Sequence, residues 1–163
     1  MSAPIDPRSD VAAWQATLPR KRMGAGVLLR DGDDRVLLVE PTYKPDWEIP
    51  GGTIETDESP RAGCAREVRE ELGLDLAVGR LLVFEWQPSA PDRTESLLFV
   101  YDGGMLPPDT GITLPADELA SYRLVALEDC DALVSPRLAR RLRAAMTALT
   151  EGVPIELESG VRV

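Results

Sequence analysis

Three glutamates, Glu67, Glu70 and Glu71, stand at i, i+3 and i+4 within a segment whose residue types favour helix. At about 100° per residue they project from neighbouring parts of one helix face, so that their carboxylates converge. A solvated acidic face is the plain account of such a cluster in an acidic protein. Against it, like charges at i, i+4 destabilise a helix by a few tenths of a kcal/mol, and negative charge near a helix C-terminus opposes the helix dipole. A hard divalent cation, Mg2+ or Mn2+, would turn that repulsion into coordination. Spacing alone weighs the two accounts equally. The chain has no histidine, so a general base falls first to a carboxylate, with lysine, tyrosine and cysteine behind it.

The elements that must position these residues are legible around them. Ser59 and Pro60 form an N-cap and first-turn pair, and Gly73 stands where a helix would end, which predicts a helix over Pro60 to Leu72. Before it, Trp47-Glu48-Ile49 reads as a short extended piece stopped by a sharp turn at Pro50-Gly51-Gly52. Gly24 to Arg30 and Arg35 to Glu40 read as two strands joined by a turn at Asp31 to Asp34. Leu81 to Trp86, Leu97 to Tyr101 and Tyr122 to Leu127 read as three more, with turn material over Asp102 to Pro115. Val11 to Leu18 is a short helical candidate, and Ser135-Pro136 opens a second amphipathic helix carrying Leu138, Leu142, Ala145, Met146 and Leu149. Strands interrupted by helices early and late predict an α/β or α+β sandwich with helices on both faces. A dinucleotide-binding fold is disfavoured, because Gly24-Ala25-Gly26 is read as lying ahead of the apolar run of the first strand and not between a strand and a helix.

From Gly52 the order is glycine, five residues, Glu58, seven residues, then Arg66-Glu67-Val68-Arg69-Glu70-Glu71-Leu72-Gly73-Leu74. This stretch resembles the signature of the Nudix hydrolases at every fixed position, and Trp47 to Gly51 resembles the usual approach to it. The resemblance implies an α/β fold: an α/β/α sandwich with a central mixed sheet and a loop-helix motif. It also implies metal, Mg2+ or Mn2+, held by Glu67, Glu70 and Glu71 with help from the Gly51 carbonyl. Glu58 and Arg66 then hold loop and helix together by ion pairing, Glu58 sometimes also reaching metal through water, while Gly52 and Gly73 serve the backbone. The implied activity is hydrolysis of a diphosphate linkage in a nucleoside diphosphate joined to another group, either a nucleoside triphosphate or an ADP-ribose-like nucleotide sugar. The base is Glu70, Glu71, or Glu118 on the loop ahead of Tyr122; an exposed acidic turn accounts equally well for Asp117 and Glu118. A nonhydrolytic nucleotide-sensing module is the alternative, although such domains typically lose the glutamates. Isopentenyl diphosphate isomerase chemistry is opposed by the absence of histidine ligands.

Recognition of the rest of a substrate is less clearly written. Tyr43 is a stacking candidate and Lys44 the favoured phosphate contact among Arg20, Lys21, Arg22, Lys44 and Arg93; Trp47 reads as core before stacking. Length predicts one domain over residues 11–152, with a flexible arm at 1–10 and a tail at 153–163 that alternates as an edge strand would. A net charge of −10 argues against nucleic acid and acidic membranes, so the arginines of the late helix (Arg137, Arg140, Arg141, Arg143) are assigned to acidic partners or the helix dipole. The expected partner is a small nucleotide-like molecule, and the expected assembly a monomer or homodimer. Cys64 and Cys130 have neither metal-ligand nor disulfide-framework spacing, and no run reaches membrane-spanning length, which gives a cytoplasmic expectation.

Overall fold

The computed structural model describes residues 10–163. The expected flexible arm therefore lies outside the described residues, Asp10 excepted. Asp10 caps a short helix, α1 (Val11–Ala16), by accepting from the Ala13 N–H at 2.9 Å. Strands β1 (Arg22–Arg30), β2 (Val36–Pro41) and β3 (Gly51–Thr53) follow, then helix α2 (Pro60–Leu72). The chain continues through β4 (Leu81–Gln87), β5 (Ser96–Met105), β6 (Leu119–Val125), a 3-10 turn over Leu127–Ala132, helix α3 (Pro136–Glu151), β7 (Ile155–Glu158) and β8 (Val161–Arg162).

These strands form one mixed sheet in the order β6-β2-β1-β5-β4-β7-β8, with β3 paired to β1 off that path. β1 runs parallel to β5 and β4 parallel to β7, while the other pairs are antiparallel. Alternation along β1 sends Ala25, Val27 and Leu29 to one face and Leu28 to the other. The first face packs on Cys64, Val68 and Leu72 of α2, the second on Leu138, Leu142 and Ala145 of α3. The result is the α/β/α sandwich with a central mixed sheet.

Several boundaries differ from the sequence expectation, each for a tertiary reason. β1 begins at Arg22, so Gly24 and Gly26 lie inside the strand and not ahead of it; there they pair with Thr53 and Gly51 of β3. A side chain on Gly26 would sit 2.9 Å from Ile49 Cδ1, so its bareness lets the Trp47–Pro50 segment lie on the sheet. Gly51 and Gly52, expected in a sharp turn, form the short strand β3. β5 runs on to Met105, because its parallel pairing with β1 extends to Arg30. β6 is displaced towards the N-terminus of its expected span, its place set by pairing with the whole of β2. The segment 153–163 carries β7 and β8, and β7 adds to β4 of the same chain. No helix among the described residues is long and apolar enough to cross a membrane.

Candidate active site

Helix α2 is fixed at both ends by local chemistry. The Ser59 hydroxyl accepts from the Ala62 N–H, Pro60 occupies the first turn, and Gly73 closes the helix in the left-handed region at φ 70°. Arg66 then ties the helix to the loop before it. Its Nε and Nη2 each reach a Glu58 carboxylate oxygen at 3.0 Å, and Nη2 also donates to the Thr53 carbonyl. The second Glu58 oxygen accepts the Glu55 N–H, and the Arg66 guanidinium holds the Glu58 carboxyl below the usual carboxylate range.

The acidic side chains occupy three different environments. Glu71 is buried and accepts the Gly51 N–H at 2.8 Å. Glu67 is half-buried, and its carboxylate lies where a side chain on Gly52 would go, 2.5 Å from that Cβ position to Cδ. Glu70 is exposed and, like Glu67, is held by Arg66 Nη1 at 2.9 Å. Arg66 holds Glu67 and Glu70, and no three potential ligands among the described residues already stand in a coordinating arrangement.

Burial pushes the Glu71 carboxyl up to about 8, with further repulsion from Glu67, Glu118 and Glu48. Burial also raises Glu67, which feels Glu70 and Glu118 in addition, against the opposing pull of Arg66. Glu118 is thus brought to the same acidic centre from a remote part of the chain. Its loop is tied down by the Thr42 N–H, which donates to the Glu118 carbonyl at 2.9 Å, and by the Thr42 hydroxyl on the Asp117 carbonyl at 3.0 Å. Under-compensated carboxylates next to the backbone of Gly51 make a hard-oxygen donor set, and that set fits a divalent cation.

On the other side of β3 a cavity of about 340 Å³ opens, lined by Gly51 and Gly52, by Tyr43, Lys44 and Glu48, and by Arg22 at the start of β1. Tyr43 is exposed, and Lys44 Nζ lies 5.7 Å from its ring while pairing with Glu48 at 2.6 Å. Trp47 packs into the core with the Arg123 guanidinium 5.0 Å above its ring, apart from this cavity. Lys21 pairs with Glu95 and Arg93 with Asp92.

The cavity's inner end holds residues that the sequence reading missed: Gln87 at the end of β4, Ser96 at the start of β5, and Arg141 of α3. Arg141 pairs through Nε with Glu85 at 2.6 Å, and Glu85 is fully buried. Strand alternation places Val83, Glu85 and Gln87 on the face towards α3. An acid amid apolar neighbours on that face was the available signal, since such a charge needs a partner.

The family model for the NUDIX domain matches residues 20–148. The chain belongs to the NUDIX family. This NUDIX chain is 40% identical over 86 residues to a MutT-like protein of Streptomyces ambofaciens, a match covering 44% of the chain and 55% of that protein. It is 43% identical over 70 residues to diphosphoinositol polyphosphate phosphohydrolase 2 of Rattus norvegicus, covering 42% of the chain and 39% of that protein. The matched region thus spans about half the length of these relatives or less. In fold it is similar to the MutT protein of Methanosarcina mazei Go1, with a TM-score of 0.66 at 24% identity over 83% of the chain and 99% of that structure.

Proposed function

We propose that this NUDIX chain is a metal-dependent pyrophosphohydrolase that cuts the diphosphate linkage of a nucleoside diphosphate joined to another group. The observation that carries the reading is that Glu71 accepts the Gly51 N–H and Glu67 fills the space beside Gly52, with Glu118 near enough to repel both, at two strand residues that also line the cavity. Glu67, Glu70 and Glu71, with the Gly51 carbonyl, would hold Mg2+ or Mn2+. A bound divalent cation there screens phosphate charge and lowers the pKa of a coordinated water. Engaging Glu70 requires its release from Arg66, and Glu58 keeps Arg66 anchored when that happens.

Glu118 is the general base in this proposal. Glu71 already accepts the Gly51 N–H and Glu70 answers to Arg66, whereas the Glu118 side chain is exposed and accepts no hydrogen bond among the described residues. It is therefore free to take a proton from an attacking water. Lys44 and Tyr43, at the cavity rim, are the proposed contacts for the substrate's phosphate and for a flat group stacked beside it.

The test is a panel of nucleoside triphosphates, ADP-ribose, a UDP-sugar and a diphosphoinositol polyphosphate with Mg2+ or Mn2+, reading released phosphate, diphosphate and nucleoside monophosphate. Turnover that needs divalent metal and falls in Glu71→Gln supports the reading. Metal-independent turnover, or no turnover on any member, overturns it.

A further inference from the structure

The inner end of the cavity is built from side chains with no part in holding the acidic centre. The Ser96 residue is 1% exposed and lines the cavity, yet its hydroxyl is buried without a partner among the described residues. Gln87 is 6% exposed and its amide nitrogen donates to Glu85 Oε1 at 3.3 Å, leaving the amide oxygen to accept. Arg141 is engaged by Glu85 through Nε alone, and its two terminal nitrogens make no hydrogen bond among the described residues. Ser96 and Gln87 are directly paired across β4 and β5, and Arg141 comes down on the same face from α3. A buried hydroxyl left unpaired is rare, because it forfeits the hydrogen bond it had with water.

Charge decides what this end can receive. Three cations line the cavity, Arg22, Lys44 and Arg141. Lys44 is matched by Glu48 at 2.6 Å and Arg141 by the fully buried Glu85 at 2.6 Å, which leaves Arg22 as the cation of this lining with no acidic partner among the described residues. A ring bearing several phosphates needs several uncompensated cations with bidentate geometry. A neutral group with hydrogen-bond acceptors and a donor needs what is present: the donor fork of a charge-matched arginine, a hydroxyl and an amide oxygen.

We propose that Gln87, Ser96 and Arg141 form a specificity site that reads the uncharged, hydrogen-bonding head group of the substrate, a nucleobase or a sugar. The proposal rests on the pyrophosphohydrolase reading for the position of the diphosphate, which would extend from this end towards Gly51 and Gly52. The two sources of the head group share one chemistry, carbonyl or hydroxyl acceptors beside an N–H or O–H donor.

Two measurements on the full chain test it. The first compares Ser96→Ala with wild type in melting temperature and in kcat/KM across the substrate panel. Expected are an unchanged or higher melting temperature, since the change deletes an unpaired buried hydroxyl, and a roughly 3- to 10-fold loss confined to the substrates whose head group is read. A loss on triphosphates of one base points to the base; a loss shared by nucleotide sugars of one sugar points to the sugar. Arg141→Lys should compress the preference between best and next substrate by about 10-fold without altering the shift in melting temperature caused by Mg2+ or Mn2+. Equal loss on every substrate, no loss in either variant, or best turnover of a diphosphoinositol polyphosphate overturns the proposal while leaving the hydrolase reading standing. The second measurement is calorimetric binding of nucleoside monophosphates and of ADP-ribose. Selective binding that Ser96→Ala weakens, in a chain with no turnover, overturns the hydrolase reading and keeps this one; absence of selective binding there overturns both.

Discussion

Gly51→Ala and Gly52→Ala, adjacent substitutions of the same size, should fail in opposite ways. A side chain on Gly52 would lie 2.5 Å from Glu67 Cδ and 2.6 and 2.7 Å from its oxygens. Ordinary van der Waals contact begins near 3.4 Å, so the carboxylate must withdraw by 3.4 − 2.5 = 0.9 Å. It is the far end of a flexible side chain and can do so with little loss of stability. In the proposed metal-holding role it cannot, since misplacing a reacting constellation by about 1 Å costs about 10²-fold in rate. At Gly51 the obstacle is backbone: φ is 144°, and a Cβ would overlap the Ala25 carbonyl and the Gly26 Cα across the β1–β3 pair. Gly51→Ala should therefore lower the melting temperature sharply. Gly52→Ala should melt within a few degrees of wild type, lose the metal-dependent rise in melting temperature, and drop about 10²-fold in kcat. Melting curves without metal and with Mg2+ in excess of its Kd (about 2.7 kcal/mol of stabilisation at about 100 Kd) give the comparison. Retained metal response and turnover in Gly52→Ala, or unfolding as severe as that of Gly51→Ala, would refute the placement of Glu67 against Gly52.

Other expectations follow from the same geometry. In chelator, the Glu71 carboxyl binds its proton more tightly in the folded chain, at about 8, than in the unfolded chain, at the ordinary carboxyl value of 4.5. Its contribution to stability is then fullest below 4.5 and declines as pH rises towards 8, by at most about 1.4 kcal/mol per unit; thermal melts should show this decline, Glu71→Gln should flatten it, and a wild-type rise over that window would contradict it. Glu118→Gln should lower kcat by about 10² or more while keeping the metal-dependent melting shift, whereas Glu70→Gln should weaken that shift; the reverse pattern would move the base back to the helix. Glu85→Leu alone should cost about 3–5 kcal/mol by stranding Arg141, and the Glu85→Leu, Arg141→Met pair should recover most of it in denaturant titrations. No recovery in the double variant would mean that the ion pair is not isolated from its neighbours.

Helix α2 could be read from sequence because each determinant is local: Ser59, Pro60 and Gly73 act within a turn of the ends they fix. The carboxylates were found with it, since helical spacing is itself geometry. What was not legible depended on pairing between distant segments. Whether Gly24 and Gly26 precede a strand or lie inside one is decided by β3, more than twenty residues on, and by β5 beyond that. Gln87 and Ser96 become neighbours through the β4–β5 register, and Arg141 acquires its meaning from Glu85 on the far side of the sequence. Arg141 was correctly expected to meet an acid, yet the helix pattern could not show that its remaining donors line a cavity. Lys44 was singled out as a phosphate contact for its nearness to the motif, and its pairing with Glu48 four residues on was not read.

The placement of β3 explains how two chemically opposed regions share one small sheet. Towards α2 stand carboxylates whose repulsion calls for a cation; towards α3 lies an end in which nearly every charge is already matched. In the proposed reading a polyanionic diphosphate suits the first with metal present, and a neutral head group suits the second without it. The two meet at Gly51 and Gly52, where the backbone carries no side chain to separate them: one N–H holds Glu71, the next residue leaves room for Glu67, and the same two residues line the cavity. Discrimination and hydrolysis would then depend on different residues joined by a bare strand. Changes at Ser96 should alter which substrate is chosen, and changes at Glu67 or Glu71 how fast any is cut; a variant on either side that moved both together would show the two regions to be one.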